Sequence, residues 1–345
     1  MTRLVLHAGD CKAGSTAIQS VLQRGSYGFE GGGAPKLHYA EGGRRDGLNH
    51  HRLADSLHIP RAQSYRDTAW GRFGAEFAEL AGQVDAVIVS SERFEFAPPG
   101  ALHAALLHYA PSALDYLSVV IYVRPHVARL LSGYAQNVRQ GLFTGDLAAF
   151  LEKMTAEGRF NYAERLIAWR RVFGDALQVR PMIRAKLDGG CVVHDFLGLC
   201  LAEHSDVAPR VDKIPVENRS PNPDAVALLR GFHTALQTCN PAPDTQRAAL
   251  IRRFASRLET LSSFRDGRIE LPASLRCAVR EAYAEDAARC DAEVFGGPVL
   301  APELAAALAN AQADWATPDP IATERMVDLS LTWLDLALQP VPPRR

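Results

Sequence analysis

"RLVLHAGDCKAGSTAIQSVLQR", residues 3–24, decides the fold. It opens as a short apolar run ending in His7, passes through a loop bracketed by Gly9 and Gly14, and then repeats Ile18, Val21 and Leu22 at helical spacing. Strand, tight loop, helix is the predicted unit, and it recurs outward along the chain. DAVIVSSERF (85–94) reads as a second strand, DYLSVVIYVRP (115–125) as a third ending at Arg124, and ALQVRP (176–181) as a fourth. Helical patterns fall between them at HHRLADSL, TAWGRFGAEFAELAGQ, 99–110, the stretch begun by Pro125, NYAERLIAWRRVFGD and CVVHDFLGLCLA. This alternation predicts an α/β three-layer sandwich around a mostly parallel sheet, with ligands at the carboxyl ends of its strands.

Residues 25–49 are dense in glycine and lack periodicity, so a long surface loop is expected there, with 25–67 as a binding lip. From about residue 221 the pattern is helical to the end, without a further convincing strand or an internal repeat. The expected organisation is a single domain, with a core over 1–220 and a helical region over 221–345 packed on it. The chain has 345 residues, enough for a substantial core, and a formal net charge of -1. That balance offers nothing for non-specific adhesion to nucleic acid or an anionic membrane. Six cysteines without a C-x-x-C pair argue against a disulfide framework or a structural zinc site. With no secretory signal and no apolar run of membrane length, a cytoplasmic protein is expected; its oligomeric state is not legible.

The first loop resembles a nucleotide-triphosphatase loop with its lysine displaced. In G-x-x-x-x-G-K-[ST] the lysine follows the second glycine and the hydroxyl binds magnesium; here the order is G-x-x-K-x-G-S-T, with Lys12 before Gly14 and Ser15 after it. Backbone N–H groups at the helix start still face an anion. The third strand ends in Arg124, where a triphosphatase usually has a magnesium-binding Asp, and Ser132 follows seven residues after Pro125, about two helical turns. Arg124 and Ser132 are therefore expected to grip a second phosphate.

Taken together, these features resemble the sulfotransferases that use 3′-phosphoadenosine 5′-phosphosulfate, in particular bacterial members whose loops read H-x-G-x-x-K-T-G-[ST]-[ST]. The likeness continues through SSE at 90–92, Y-x6-W-x3-FG from Tyr162 to Gly174, VRP at 179–181, DFL at 195–197 and NRS at 218–220, and so covers roughly residues 3–220. It implies a P-loop sulfotransferase-like fold and transfer of a sulfuryl group to a hydroxyl or amine of a small-molecule or carbohydrate acceptor, with no metal. It also implies that the 5′-phosphosulfate lies on Lys12, Ala13, Gly14, Ser15 and Thr16, and the 3′-phosphate on Arg124 and Ser132. Arg180 and Arg184 near the fourth strand end are expected to add positive potential near the nucleotide, and Arg180 and Arg219 are candidate nucleotide-binding residues. Two positions depart from the family: Ala13 stands where Thr or Ser is usual, and Cys11 where Pro is common.

Sulfuryl transfer demands an in-line approach and stabilisation of a leaving phosphate, for which Lys12 is the natural group. A base must take the acceptor's proton. Glu92 at the end of the second strand is one candidate, against a bland pairing with Arg93, Lys12 or a backbone amide. His50 and His51 are the others; as neighbours they split across faces, so at most one is expected to point inward. His7, inside a strand, is expected to be a satisfied core histidine. Two other readings stay open: a metal-dependent small-molecule kinase with an aberrant loop, and a nucleotide-binding module that has lost catalysis.

Overall fold

The computed structural model describes residues 1–33, 35–44, 47–201, 204, 206–211, 222–239, 244–258, 260–261, 269–313 and 333. The chain begins with β1 (Arg3–His7), α1 (Ser15–Arg24), β2 (Tyr27–Gly31), β3 (Leu37–Tyr39), α2 (His51–His58) and α3 (Arg66–Leu80). Next come β4 (Ala86–Ser90), α4 (Pro99–Tyr109), β5 (Leu117–Val123), α5 (His126–Arg139) and α6 (Leu147–Ala156). Then follow α7 (Ala163–Phe173), β6 (Leu177–Pro181), α8 (Val192–Cys200), β7 (Val207–Val211), α9 (Pro223–Cys239), α10 (Asp244–Leu258), α11 (Arg276–Cys290) and α12 (Leu300–Ala309).

Five strands form one sheet in the order β3-β4-β1-β5-β6, and every neighbouring pair is parallel. Both side-chain sets of its central strands are buried. Val5, Ile88, Val120 and Tyr122 share a cluster with Ile18 and Val21 of α1 and Val193, Phe196 and Leu197 of α8. Leu4, Leu6, Val87, Val89, Val119 and Ile121, which alternate with them along the strands, are just as buried. Apolar runs without polar alternation are what a parallel sheet covered on both faces requires. The chain leaves β1, builds β3 and β4 on one side, then crosses to β5 and β6 on the other. The carboxyl end of β1 is therefore the switch point of the sheet, the place where parallel α/β sheets commonly bind ligands.

The glycine-dense stretch over 25–49 is more ordered than expected. β2 pairs antiparallel with β7 as a separate two-stranded sheet, and β3 adds a parallel edge to β4. Gly31 is required in β2: its φ is 117°, and a Cβ would stand 2.2 Å from the Asp206 carbonyl oxygen. β3 is only three residues long, too short for any period to be read.

The chain divides into two compact units, one over 1–125, 161–217 and 286–301, the other over 126–160, 218–285 and 302–345. In the second, the Phe232 and Phe254 rings stack at 3.9 Å, and His233 Nε2 donates to the Val138 carbonyl at 2.7 Å, joining α9 to α10 and α5. Among the described residues, no helix is long and apolar enough to cross a membrane.

Candidate functional site

The loop after β1 is shaped by its backbone. Ala8 N–H bonds the Val120 carbonyl at 2.9 Å and Asp10 N–H the Tyr122 carbonyl at 3.2 Å, so the chain runs on beside β5 before turning. Ala13 N–H closes the turn on the Asp10 carbonyl at 3.1 Å. Lys12 lies in the left-handed region at φ 67°, and Gly14 at φ 86°. Gly14 also admits no side chain, because a Cβ would meet Val192 Cγ1 at 2.7 Å. Gly9 answers to a different neighbour: a Cβ there would stand 2.3 Å from His7 Nε2. For a lysine the left-handed backbone is unfavourable by about 1 kcal/mol or more, and such strain persists only where the surroundings impose it.

Three side chains impose it. Arg124 Nη1 donates to the Lys12 carbonyl at 3.0 Å, Glu95 Oε2 accepts the Cys11 N–H at 3.0 Å, and the fully buried Asp10 pairs with Arg165 of α7 at 2.6 Å. Burial works against the Arg165 charge, but Asp10 and Glu95 beside it outweigh that and raise its pKa. Tyr162 Oη in turn donates to the Arg124 carbonyl at 2.9 Å. Asp10, Glu95 and Arg165 were not readable from the sequence, since Asp10 and Arg165 are 155 residues apart in it. The Cys11 bond accounts for the missing proline, which has no N–H to give.

The loop delivers the chain into α1 with Gly14 as N-cap and no side chain capping it. The positive end of the helix dipole is thus open. Ser15, 4% exposed, buries its Oγ there without a hydrogen-bond partner. Thr16 follows, half-buried. Ala13 faces the other way, into the apolar cluster with Val5, Ile18 and Val193, so only its backbone is available to a ligand. A hydroxyl at that position would enter this apolar cluster.

The adjacent end of β4 carries the second constellation. Gln19 Nε2 lies 3.1 Å from Glu92 Oε2 and 3.2 Å from Ser90 Oγ, and His51 Nε2 lies 3.4 Å from Glu92 Oε1. His51 Nδ1 is 2.9 Å from Ser91 Oγ. A lone pair on Nε2 would face a carboxylate oxygen, so the neutral ring carries its hydrogen there and Nδ1 accepts from Ser91. Ser91 is fully buried and already accepts the Arg93 N–H at 3.2 Å as a cap, which suits a strut and not a nucleophile. Arg93 pairs with Asp55 of α2 and leaves Glu92 to Gln19 and His51.

Both histidines point inward, contrary to the expected split, because His50 precedes the helix as its N-cap. His50 is nevertheless no candidate base. Its Nε2 donates to the Ala40 carbonyl at 2.8 Å, its Nδ1 accepts the Ser90 N–H at 3.1 Å, and burial pushes its pKa down to about 4. It is a neutral strut between β4 and the residue after β3.

Arg180 also differs from expectation. Its guanidinium is held by the fully buried Asp195 of α8, with Nε at 3.1 Å, and Asp195 accepts the Tyr122 hydroxyl at 2.5 Å and the Asp188 N–H at 3.0 Å as well. Burial raises the Asp195 pKa, and these donors more than reverse it, leaving the group below the usual carboxylate range. The VRP and DFL stretches are thus two halves of one ion pair, with a fully buried carboxylate and a half-buried guanidinium. Ser132 belongs to the second unit and is buried there; Arg219, with Asn218 and Ser220, lies outside the described residues. No family model, curated protein or solved structure matches the chain.

Proposed function

We propose that this chain is a sulfotransferase that moves a sulfuryl group from 3′-phosphoadenosine 5′-phosphosulfate to a hydroxyl or amine of a small-molecule or carbohydrate acceptor. One observation carries the reading: an uncapped helix N-terminus at the switch point of a parallel sheet, holding a buried, partnerless Ser15 hydroxyl beside a lysine kept in strained backbone. That donor set fits a phosphosulfate without a metal, and Arg124 fits a second phosphate. The part of Ser132 rests on the sequence resemblance alone.

In this reading Glu92 takes the acceptor's proton while the acceptor atom closes its bond to sulfur. The bond from sulfur to the bridging oxygen breaks, and its electron pair goes to the 5′-phosphate. Lys12, Ser15 Oγ and the first N–H groups of α1 stabilise the charge that collects there. His51 steadies the carboxylate as its neighbour at 3.4 Å. The test is calorimetry with 3′-phosphoadenosine 5′-phosphate against ATP plus magnesium, followed by a labelled-donor screen across acceptor classes. Preference for the bisphosphate and transfer to an acceptor support the reading. Preference for magnesium ATP favours a kinase, and nucleotide binding without transfer to any acceptor favours a binding module.

A further inference from the structure

Gln19 is the polar group near Glu92 that the sulfuryl-transfer reading leaves without a task. It lies on the inner side of α1, 2% exposed, and a carboxamide nitrogen has two hydrogens, one for Ser90 Oγ and one for Glu92 Oε2. Ser90 is held from behind in turn: its Oγ lies 2.8 Å from Nδ1 of the fully buried His7. Burial pushes the His7 pKa down to about 3, so the ring is neutral, and Ser90 Oγ accepts from Gln19 whichever ring nitrogen carries the hydrogen.

We propose that Gln19 is a positioning residue for Glu92: Ser90, backed by His7, fixes its carboxamide, and the carboxamide fixes the carboxylate plane. Glu92 then meets His51 with one oxygen and Gln19 with the other, which leaves each oxygen a further lone pair for a proton. The proposal rests on the reading of Glu92 as the proton acceptor. It also explains why position 19 carries an amide: a carboxylate there has no hydrogen to give, and an apolar side chain would release Glu92 to rotate.

The test compares the full-length wild type with Gln19→Met, which keeps length and burial, with Gln19→Glu, and with Ser90→Ala, which loosens the brace from behind. Nitrogen-15 spectra of the histidine rings report the state of His51 without any need for substrate. In wild type His51 should show a single neutral tautomer with its hydrogen on Nε2; in Gln19→Met it should average between tautomers; in Gln19→Glu it should move toward the imidazolium. Turnover in Gln19→Met should fall about tenfold to a hundredfold, with the KM for the donor and the Kd for 3′-phosphoadenosine 5′-phosphate unchanged. Ser90→Ala should shift both readouts in the same direction by less, and it decides the matter if Gln19→Met does not fold. A wild-type His51 spectrum and wild-type kcat in Gln19→Met overturn the proposal. If the wild type binds no nucleotide and transfers nothing, the sulfuryl-transfer reading falls, and the histidine spectra alone then support or overturn the brace.

Discussion

The carboxyl ends of β1 and β6 each carry a cation that the sequence assigns to a nucleotide, Lys12 and Arg180, and they are built in opposite ways. Around Arg180 the donors and acceptors close on each other: Asp195 takes the guanidinium, the Tyr122 hydroxyl and the Asp188 N–H. Around Lys12 the neighbouring groups hold the backbone, and the helix that follows is left uncapped with an unsatisfied buried hydroxyl. A structural ion pair spends its hydrogen bonds inside the protein; a binding loop keeps some in reserve. The two ends can be told apart by how substitutions move stability and affinity.

The largest effect is expected at Lys12. Lys12→Ala should lower sulfuryl-transfer turnover about 10²–10³-fold, the range for removing one preorganised donor from a charge that develops in the transition state. Affinity for 3′-phosphoadenosine 5′-phosphate should change much less, and calorimetry beside single-turnover kinetics separates the two. An unchanged rate would sink the catalytic assignment. Lys12→Gly should be equally slow yet about 1 kcal/mol more stable than Lys12→Ala in denaturant titrations, because only glycine adopts φ 67° without strain.

At the closed end the loss should appear in stability. Asp195→Asn strands a half-buried guanidinium and should destabilise the fold by about 3 kcal/mol, while the folded fraction keeps its nucleotide affinity. The pH dependence has a definite sign. Because the folded pKa of Asp195 lies below the ordinary carboxylate value, its contribution is full above that value and is lost as pH falls through the lowered one. The stability gap between wild type and Asp195→Asn, followed in denaturant from neutral pH downward, should therefore close in acid. A gap independent of pH would mean that packing, and not the ion pair, is what the substitution removes.

Cys11→Pro comes next. It restores the residue common in the sulfotransferases and deletes the N–H that Glu95 accepts at 3.0 Å, so it should destabilise by about 1–2 kcal/mol, the usual range for a bond to a charged group when the acceptor is partly exposed. Cys11→Ser keeps the N–H and should leave thermal unfolding near wild type. If the proline variant matches it, the Glu95 contact plays no part in holding the loop.

These three sites also mark where the sequence is legible. β1, β4 and β5 are readable because both their faces are buried, which leaves nearly unbroken apolar runs; β6, a half-buried edge strand, is readable only from its place after a helical pattern. β2 and β7 are not, because glycine and proline interrupt them, and β3 is not, because it has only three residues. Within the candidate site, Lys12, Gly14, Ser15 and Glu92 are visible because each sits in a contiguous motif at a strand end. Asp10 with Arg165, and Gln19 with Ser90, are invisible for the opposite reason: each pair joins separate elements through residues 155 and 71 positions apart. The Arg180 and Asp195 stretches were legible as motifs and opaque as chemistry, since spacing along the chain cannot tell a cation that faces a ligand from one that faces a carboxylate.

The smallest effect is the sharpest test of the contrast, because its two readouts move in opposite directions. Ser15 Oγ is a buried hydroxyl without a partner, and such a group is unfavourable in the folded state unless a ligand accepts its hydrogen. Ser15→Ala removes that burden and places a better helix former in the first turn of α1, so the unliganded protein should gain about 1 kcal/mol in denaturant titrations. The same change removes a donor from the anion site and should weaken 3′-phosphoadenosine 5′-phosphate binding about threefold to tenfold. A substitution at an ordinary packing position has no reason to stabilise the free protein and weaken its ligand together. If Ser15→Ala instead destabilises the unliganded chain and leaves the nucleotide affinity intact, the hydroxyl belongs to the fold, and the loop after β1 is as closed as the pair at β6.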